Sequence, residues 1–97
     1  MNVFLPLAVF TKDSEGRYEG YSPNVKGAIS YGHTFEDALA NMKEAIAGVM
    51  EAALENDYSG VLLDSGYKGV AGEIVVPIPV EKRLRVAASI HLVRERI

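Results

Sequence analysis

The sequence contains no cysteine. The chain therefore has no disulfide, no thiol nucleophile and no thiolate ligand for zinc or for an iron–sulfur cluster. Its 97 residues, of which 48% are apolar, suffice for one small domain. Because a core of this size gives only modest stability, we expect self-association through a sheet edge or an exposed helix face.

Long apolar runs are also missing. The apolar N-terminal stretch, residues 1–10, is interrupted by Pro6 and falls short of the ~20 residues that a membrane helix needs. No basic segment precedes it, so the stretch lacks the pattern of a secretory signal. We therefore expect a cytoplasmic protein without membrane contact.

Motifs for catalysis, metal binding and cofactor binding are absent as well. No serine stands in a G-x-S-x-G turn, and no glycine-rich phosphate loop occurs. The two histidines, His33 and His91, are far apart in sequence and are best interpreted as polar turn and tail residues. We predict no catalytic, metal or cofactor residue and expect that the protein is not an enzyme.

Turn residues divide the first part of the chain into three short strands. Strand-forming runs at residues 3–10, 18–21 and 28–31 are separated by polar turns at residues 12–17 and 22–27. Short links between sequential strands predict an antiparallel meander.

One long helix is predicted after the meander. Thr34 stands at the expected N-cap, and Glu36 and Asp37 lie in the first turn, where the helix dipole favours negative charge. Apolar residues then recur every three or four positions and form one face, namely Phe35, Leu39, Met42, Ile46, Val49 and Ala53. We expect the helix to end near residues 56–57 and this face to cover the sheet.

The rest of the chain gives weaker patterns. Residues 61–63, in a glycine-rich stretch, fit either a short strand or a loop anchor, and residues 73–78 predict a strand. The apolar residues of segment 80–97 fit both the helical and the strand periodicity, but the Glu81–Arg85 pair favours a helix. The sequence thus predicts an α+β domain in antiparallel β-β-β-α-β order.

The predicted organisation is one domain with a tail of opposite charge. The domain spans residues 1–79 and the helical tail spans residues 80–97. Residues 1–81 hold five Lys/Arg against twelve Asp/Glu, a net charge of −7, whereas residues 82–97 hold five against one, a net charge of +4. Such asymmetry suggests two surfaces with different partners.

Four carboxylates share the helix face opposite the apolar one: Asp37, Glu44, Glu51 and Glu55. The simplest interpretation is a solvated surface. The alternative is a docking surface for a basic partner, since complementary charge speeds association. Gly48 lies on or near this face, where it either permits close approach by a partner or is a tolerated flaw that costs about 1 kcal/mol relative to alanine.

The basic residues of the tail suggest a second surface. Contacts to nucleic-acid phosphates are predicted for Lys82, Arg83, Arg85, Arg94 and Arg96. No aromatic residue interleaves them, so base stacking is not indicated. The alternatives are basic residues that only solvate the tail, an oligomerisation segment or an incomplete DNA-binding segment.

Three segments together resemble the HicB-like antitoxins. They are Asp-Ser-Glu-Gly-Arg-Tyr at residues 13–18, a P-x-x-x-G turn at residues 23–27, and the helix start at residues 32–46, which includes Asn-Met-Lys-Glu-Ala. Asp37 stands where the pattern usually has glutamate, and Lys26 replaces the second proline of the turn. The resemblance extends over about residues 3–54.

The resemblance implies a partial ribonuclease-H-like fold without its activity. It also implies a protein that binds and neutralises HicA, a small basic toxin that cleaves mRNA, and that represses its own operon through a C-terminal DNA-binding segment. Such proteins usually form a homodimer or homotetramer. A basic toxin suits the acidic body. The 18 residues after Pro79 are too few for a complete helix-turn-helix, so we do not expect self-contained DNA binding.

Two other functions stay open. A stand-alone RNA- or DNA-binding regulator would use the basic tail across an oligomer. A nuclease that retains ribonuclease-H chemistry would need clustered carboxylates that hold two metal ions, for which Asp13, Glu19 and Glu44 are conceivable.

Overall fold

The computed structural model describes residues 2–56, 58, 60–63 and 66–82. Its elements are β1 (Asn2–Phe4), β2 (Leu7–Lys12), β3 (Tyr18–Tyr21), β4 (Ile29–Gly32), α1 (Phe35–Ala53), a 3-10 turn (Leu54–Asn56), β5 (Ile74–Pro77) and β6 (Val80–Lys82). Among these residues, four strands form an antiparallel sheet in the order β4-β3-β2-β5, and β1 pairs with β6. The predicted α+β fold with one long helix on an antiparallel sheet is confirmed.

The predicted first strand is divided at Pro6 into β1 and β2. Pro6 O accepts a hydrogen bond from Ile78 N at 2.8 Å. Pro6 cannot donate one in return, because proline has no N–H. The register nevertheless continues through the break, with Phe4 opposite Val80 and Leu7 opposite Pro77. β1 and β6 therefore prolong the β2–β5 pair as a two-stranded ribbon.

The predicted tail helix is wrong at its start. Val80–Lys82 form β6, antiparallel to β1, because the register set by β2 and β5 carries the chain onto a partner strand. Residues 83–97 lie outside the described residues. The division of the chain after residue 79 stays a prediction.

Both predicted turns are confirmed. In the first, Asp13 N donates to Arg17 O at 2.7 Å, and Gly16 takes the positive φ of 84° that the hairpin requires. In the second, Ser22 N donates to Ala28 O at 3.1 Å and so extends the ladder between β3 and β4. The meander that the turn residues predict is therefore present.

Helix α1 lies over β3 and β4 and buries a stripe that differs in part from the predicted one. The buried residues of the helix are Ala38, Met42, Ile46, Met50 and Ala53. Phe35, Leu39 and Val49, which the periodicity places in the core, are only half-buried beside it. The helix is therefore rotated so that the small side chain of Ala38 faces the sheet.

The loop after α1 is an anchor and not a strand. Leu62 forms an isolated bridge with Val25, and Leu63 N donates to Asn24 O at 2.7 Å. The Asn24 side chain in turn accepts from Leu7 N at 2.7 Å. The second turn thus connects the loop with the start of β2, and the loop-anchor interpretation is the correct one.

Candidate partner-binding surface

The four helix carboxylates are exposed together, as the sequence predicts. Asp37, Glu44 and Glu51 lie on α1, and Glu55 follows in the 3-10 turn. The only basic residue between Phe35 and Asn56 is Lys43. We refer to these four carboxylates as the acidic stripe. Their role in binding a toxin stays a prediction.

Close contact between α1 and β4 positions the start of this stripe. A Cβ on Gly32 would lie 2.4 Å from the backbone N of Ala38, so only glycine allows this approach. The hydroxyl of Ser30 donates to Ala38 O at 3.0 Å. At the helix N-terminus, the hydroxyl of Thr34 accepts from Asp37 N at 3.1 Å and confirms the predicted N-cap.

A third contact joins the helix to the outermost strand of the sheet. Asn41 Nδ2 donates to Tyr31 O at 2.7 Å. Asn41 lies between Asp37 and Glu44 on the same helix face, so the N-terminal part of the acidic stripe lies beside the β4 edge. Next to this contact is an open groove of about 610 Å³, whose lining includes Tyr31, Asp37 and Glu19.

Large apolar side chains are exposed on the face of the sheet that α1 does not cover. Tyr31 is 64% exposed, Ile29 58% and Tyr21 41%. Sequence reasoning missed these residues because strand-forming residues do not show which face of the sheet the helix covers. In β4 the small side chain of Ser30 faces the helix instead, since the helix approaches so closely. Isoleucine and tyrosine alternating with serine and glycine are the signal that could have shown this.

Asp13 has a structural role in the hairpin turn. Its carboxylate accepts hydrogen bonds from Arg17 N and Glu15 N, both at 2.9 Å, and from Arg17 Nε at 3.0 Å. The Arg17 backbone N–H makes the largest contribution to holding the pKa of the Asp13 carboxyl below its ordinary value of 3.8. The charged form of this side chain therefore stabilises the turn.

The carboxylates of the nuclease alternative do not form a metal site in the described structure. Asp13 and Glu19 line the groove, but Glu44 is not among its lining residues. Over residues 2–56, 58, 60–63 and 66–82, no group of three histidine or carboxylate side chains lies close enough to hold a metal ion.

The predicted nucleic-acid contacts cannot be placed on this surface. Lys82 ends β6, and the other four residues, Arg83, Arg85, Arg94 and Arg96, lie outside the described residues, as does His91. His33 is exposed in the turn that precedes α1. Nucleic-acid binding stays a prediction.

Comparison with known proteins supports the resemblance drawn from the sequence. The structure is similar to the N-terminal domain of the antitoxin HicB of Burkholderia pseudomallei, with a TM-score of 0.61 and 25% sequence identity over 80% of this chain and 99% of that one. The resemblance to the HicB-like antitoxins is confirmed. No protein-family model matches the chain.

Two curated proteins are similar to this chain in part of its sequence. A UPF0150 protein of Helicobacter pylori (strain J99) is 49% identical over 39 residues, which is 40% of this chain and 53% of that protein. A UPF0150 protein of Synechocystis is 40% identical over 43 residues, or 44% of this chain and 54% of that protein. The chain thus spans about half the length of the curated relatives it matches. Among the helices of the described residues, none is long and apolar enough to cross a membrane.

Proposed function

We propose that this HicB-like protein is a cytoplasmic antitoxin that binds and neutralises a small basic toxin of the HicA type and has no catalytic activity of its own. The observation that carries the proposal is the fold, which is similar to that of an antitoxin HicB domain over 80% of the chain. Homo-oligomerisation and regulation through nucleic-acid binding remain predictions.

The acidic stripe is the part of the surface best suited to a basic toxin. Its carboxylates are exposed along α1, and residues 1–81 as a whole carry a net charge of −7. An extended array of one charge sign attracts a basic protein before contact and raises its association rate. Glu44 and Glu51 lie about two helical turns apart and are the two middle residues of the stripe.

The test is complex formation with a HicA-type toxin from the host genome. The tagged full chain is purified from that host, and the recovered small basic protein is then titrated against the purified chain by calorimetry. A 1:1 or higher-order complex is expected, and Glu44→Lys with Glu51→Lys should weaken it by about tenfold or more, because each reversal puts like charge against the toxin.

A matched control separates local from global charge effects. Glu15→Lys reverses one charge on the hairpin turn, where Glu15 is exposed beside Arg17. It is compared with Glu44→Lys alone, which makes the same charge change, and it should change the affinity little. Equal losses for both variants would show that net charge alone matters. Failure of every HicA-type toxin of the host to bind would refute the antitoxin role.

A further inference from the structure

Among the described strands, β4 is an edge strand with open backbone hydrogen-bonding groups. In an antiparallel pair, alternate residues direct both N–H and C=O to the neighbouring strand. The bond from Ser22 N to Ala28 O places Ala28, and hence Ser30, among the residues directed toward β3. Ile29 and Tyr31 therefore direct their backbone groups away from the sheet. Tyr31 O is occupied by Asn41, but Ile29 N–H, Ile29 C=O and Tyr31 N–H have no partner among the described residues.

This edge also lacks the usual protection against strand addition. Edge strands are commonly blocked by charged residues, proline or a bulge. β4 has the sequence Ile-Ser-Tyr-Gly, which contains no charge and no proline. By contrast, Pro77 lies on the opposite edge strand, β5, at a position directed away from the sheet, because Ile78 N turns inward to Pro6 O. The β5 edge is thus protected by a proline, whereas the β4 edge has neither a proline nor a charge.

The β4 edge is bordered by two surfaces of different chemistry. On the helix side, Asp37 and Glu44 flank Asn41, which contacts the edge directly. On the other side, the exposed side chains of Ile29 and Tyr31 project from the outer face of the sheet. Successive side chains of an added strand would point alternately to these two sides. The best complement is a strand that alternates basic and apolar residues.

We propose that the β4 edge is a docking site for an extended segment of a partner protein in which lysine or arginine alternates with apolar residues. Its backbone pairs with Ile29 and Tyr31, its basic side chains contact Asp37 and Glu44, and its apolar side chains cover Ile29 and Tyr31. The choice of a basic partner rests on the proposed function. Strand addition of this kind takes its affinity from main-chain bonds and its specificity from alternate side chains.

Charge favours this partner over a second copy of the chain. Antiparallel pairing of β4 with β4 of another copy would bring both helices to the same face of the joined sheet. Asp37 and Glu44 of the two copies would then face each other across the junction, and like charges at that distance oppose association. A basic strand meets the same carboxylates with attraction.

The test uses defined peptides and the full chain, without the toxin. A fluorescein-labelled decapeptide of alternating arginine and valine is titrated by fluorescence anisotropy, and the control decapeptide has the same composition in two blocks. The alternating peptide should bind at least about tenfold more tightly than the block peptide. Its affinity should fall as NaCl rises from about 50 mM to about 500 mM.

Three variants locate the bound peptide. Ile29→Pro removes one outward N–H and should weaken binding of the alternating peptide by about tenfold or more. Val75→Pro, at an outward position of the opposite edge, is the matched control and should leave binding unchanged. Glu44→Lys should weaken binding without altering the backbone, so the proposal can be tested even if a proline variant fails to fold by circular dichroism.

Three results would overturn the proposal. Equal binding of the two peptides would show a purely electrostatic surface, and equal effects of the two prolines would place the site elsewhere. A dimer that Ile29→Pro converts to monomer, together with no peptide binding, would assign the edge to a second copy. Because the toxin is absent, loss of the antitoxin role and loss of this edge site give separate results.

Discussion

Asn41 Nδ2 donates a hydrogen bond to Tyr31 O at 2.7 Å and so joins the middle of α1 to the outermost strand. Asn41 belongs to the segment on which the resemblance to HicB-like antitoxins is based. Gly32, which allows the close helix approach, and Thr34, which caps the helix, belong to the same segment. These three residues of the motif therefore fix the position of α1 on the sheet, and the exposed carboxylates around them remain available for a partner.

Replacing Asn41 by aspartate should destabilise the fold at neutral pH. Asn41→Asp keeps the shape of the side chain but replaces its donor with a carboxylate oxygen directed at Tyr31 O. We expect a loss of about 1 kcal/mol in the free energy of unfolding, measured by urea denaturation. At about pH 3 the introduced carboxyl is protonated and can donate again, so the difference should shrink. An equal loss at both pH values would contradict the role of the hydrogen bond.

Two glycines should respond in opposite directions to alanine. Gly32→Ala places a Cβ 2.4 Å from Ala38 N and should destabilise the protein by about 1–3 kcal/mol or more, because backbone cannot yield easily. Gly48 has open space around its Cβ position, and Gly48→Ala should stabilise α1 by up to about 1 kcal/mol. Thermal unfolding of both variants checks this pair.

Gly48→Ala also tests the two interpretations of this residue. If Gly48 is a tolerated flaw, the variant should bind the toxin as the natural chain does. Weaker binding by a more stable variant would show that the partner approaches the helix backbone there. The stability measurement distinguishes this result from damage to the fold.

The elements were largely predictable from the sequence because their signals are local. Thr34 and the periodic apolar face identify α1, and the turns at residues 12–17 and 22–27 are rich in turn-forming residues. Predicting the break at Pro6 would have required knowledge of the partner strand, since proline is compatible with several strand positions. The start of β6 at Val80 was missed because periodicity cannot weigh a helix against pairing with a distant strand.

The candidate surface was only half predictable. Helical spacing alone places Asp37, Glu44 and Glu51 on one face, because all three belong to one element. The β4 edge depends on which strand lies outermost and on which backbone groups point outward, and both are properties of the assembled sheet. The exposure of Tyr31 follows from the close approach of α1 to Gly32, a tertiary contact that strand propensity does not contain.

The hairpin turn should make stability depend on pH in the acidic range. The folded pKa of the Asp13 carboxyl is lowered, first by the Arg17 backbone N–H. A lowered folded pKa means that the stabilisation is fully present above the ordinary value of 3.8 and is lost as pH falls through the folded pKa. Between about pH 5 and about pH 2, Asp13→Asn should therefore lose less stability than the natural chain. If urea titrations show the same loss of stability in both proteins as the pH falls, Asp13 contributes nothing to the acid response.

The acidic stripe should act mainly on the rate at which a basic toxin associates. Long-range attraction accelerates encounter, whereas packing in the formed complex sets the dissociation rate. In stopped-flow measurements, the association rate constant should fall as ionic strength rises, because the Debye length shrinks to about 3 Å at 1 M salt. Glu44→Lys with Glu51→Lys should flatten this salt dependence and change the dissociation rate less, and Glu15→Lys should leave most of it. A double reversal that changed only the dissociation rate would instead show that the stripe is a packed part of the interface, and not a surface that guides the toxin toward it.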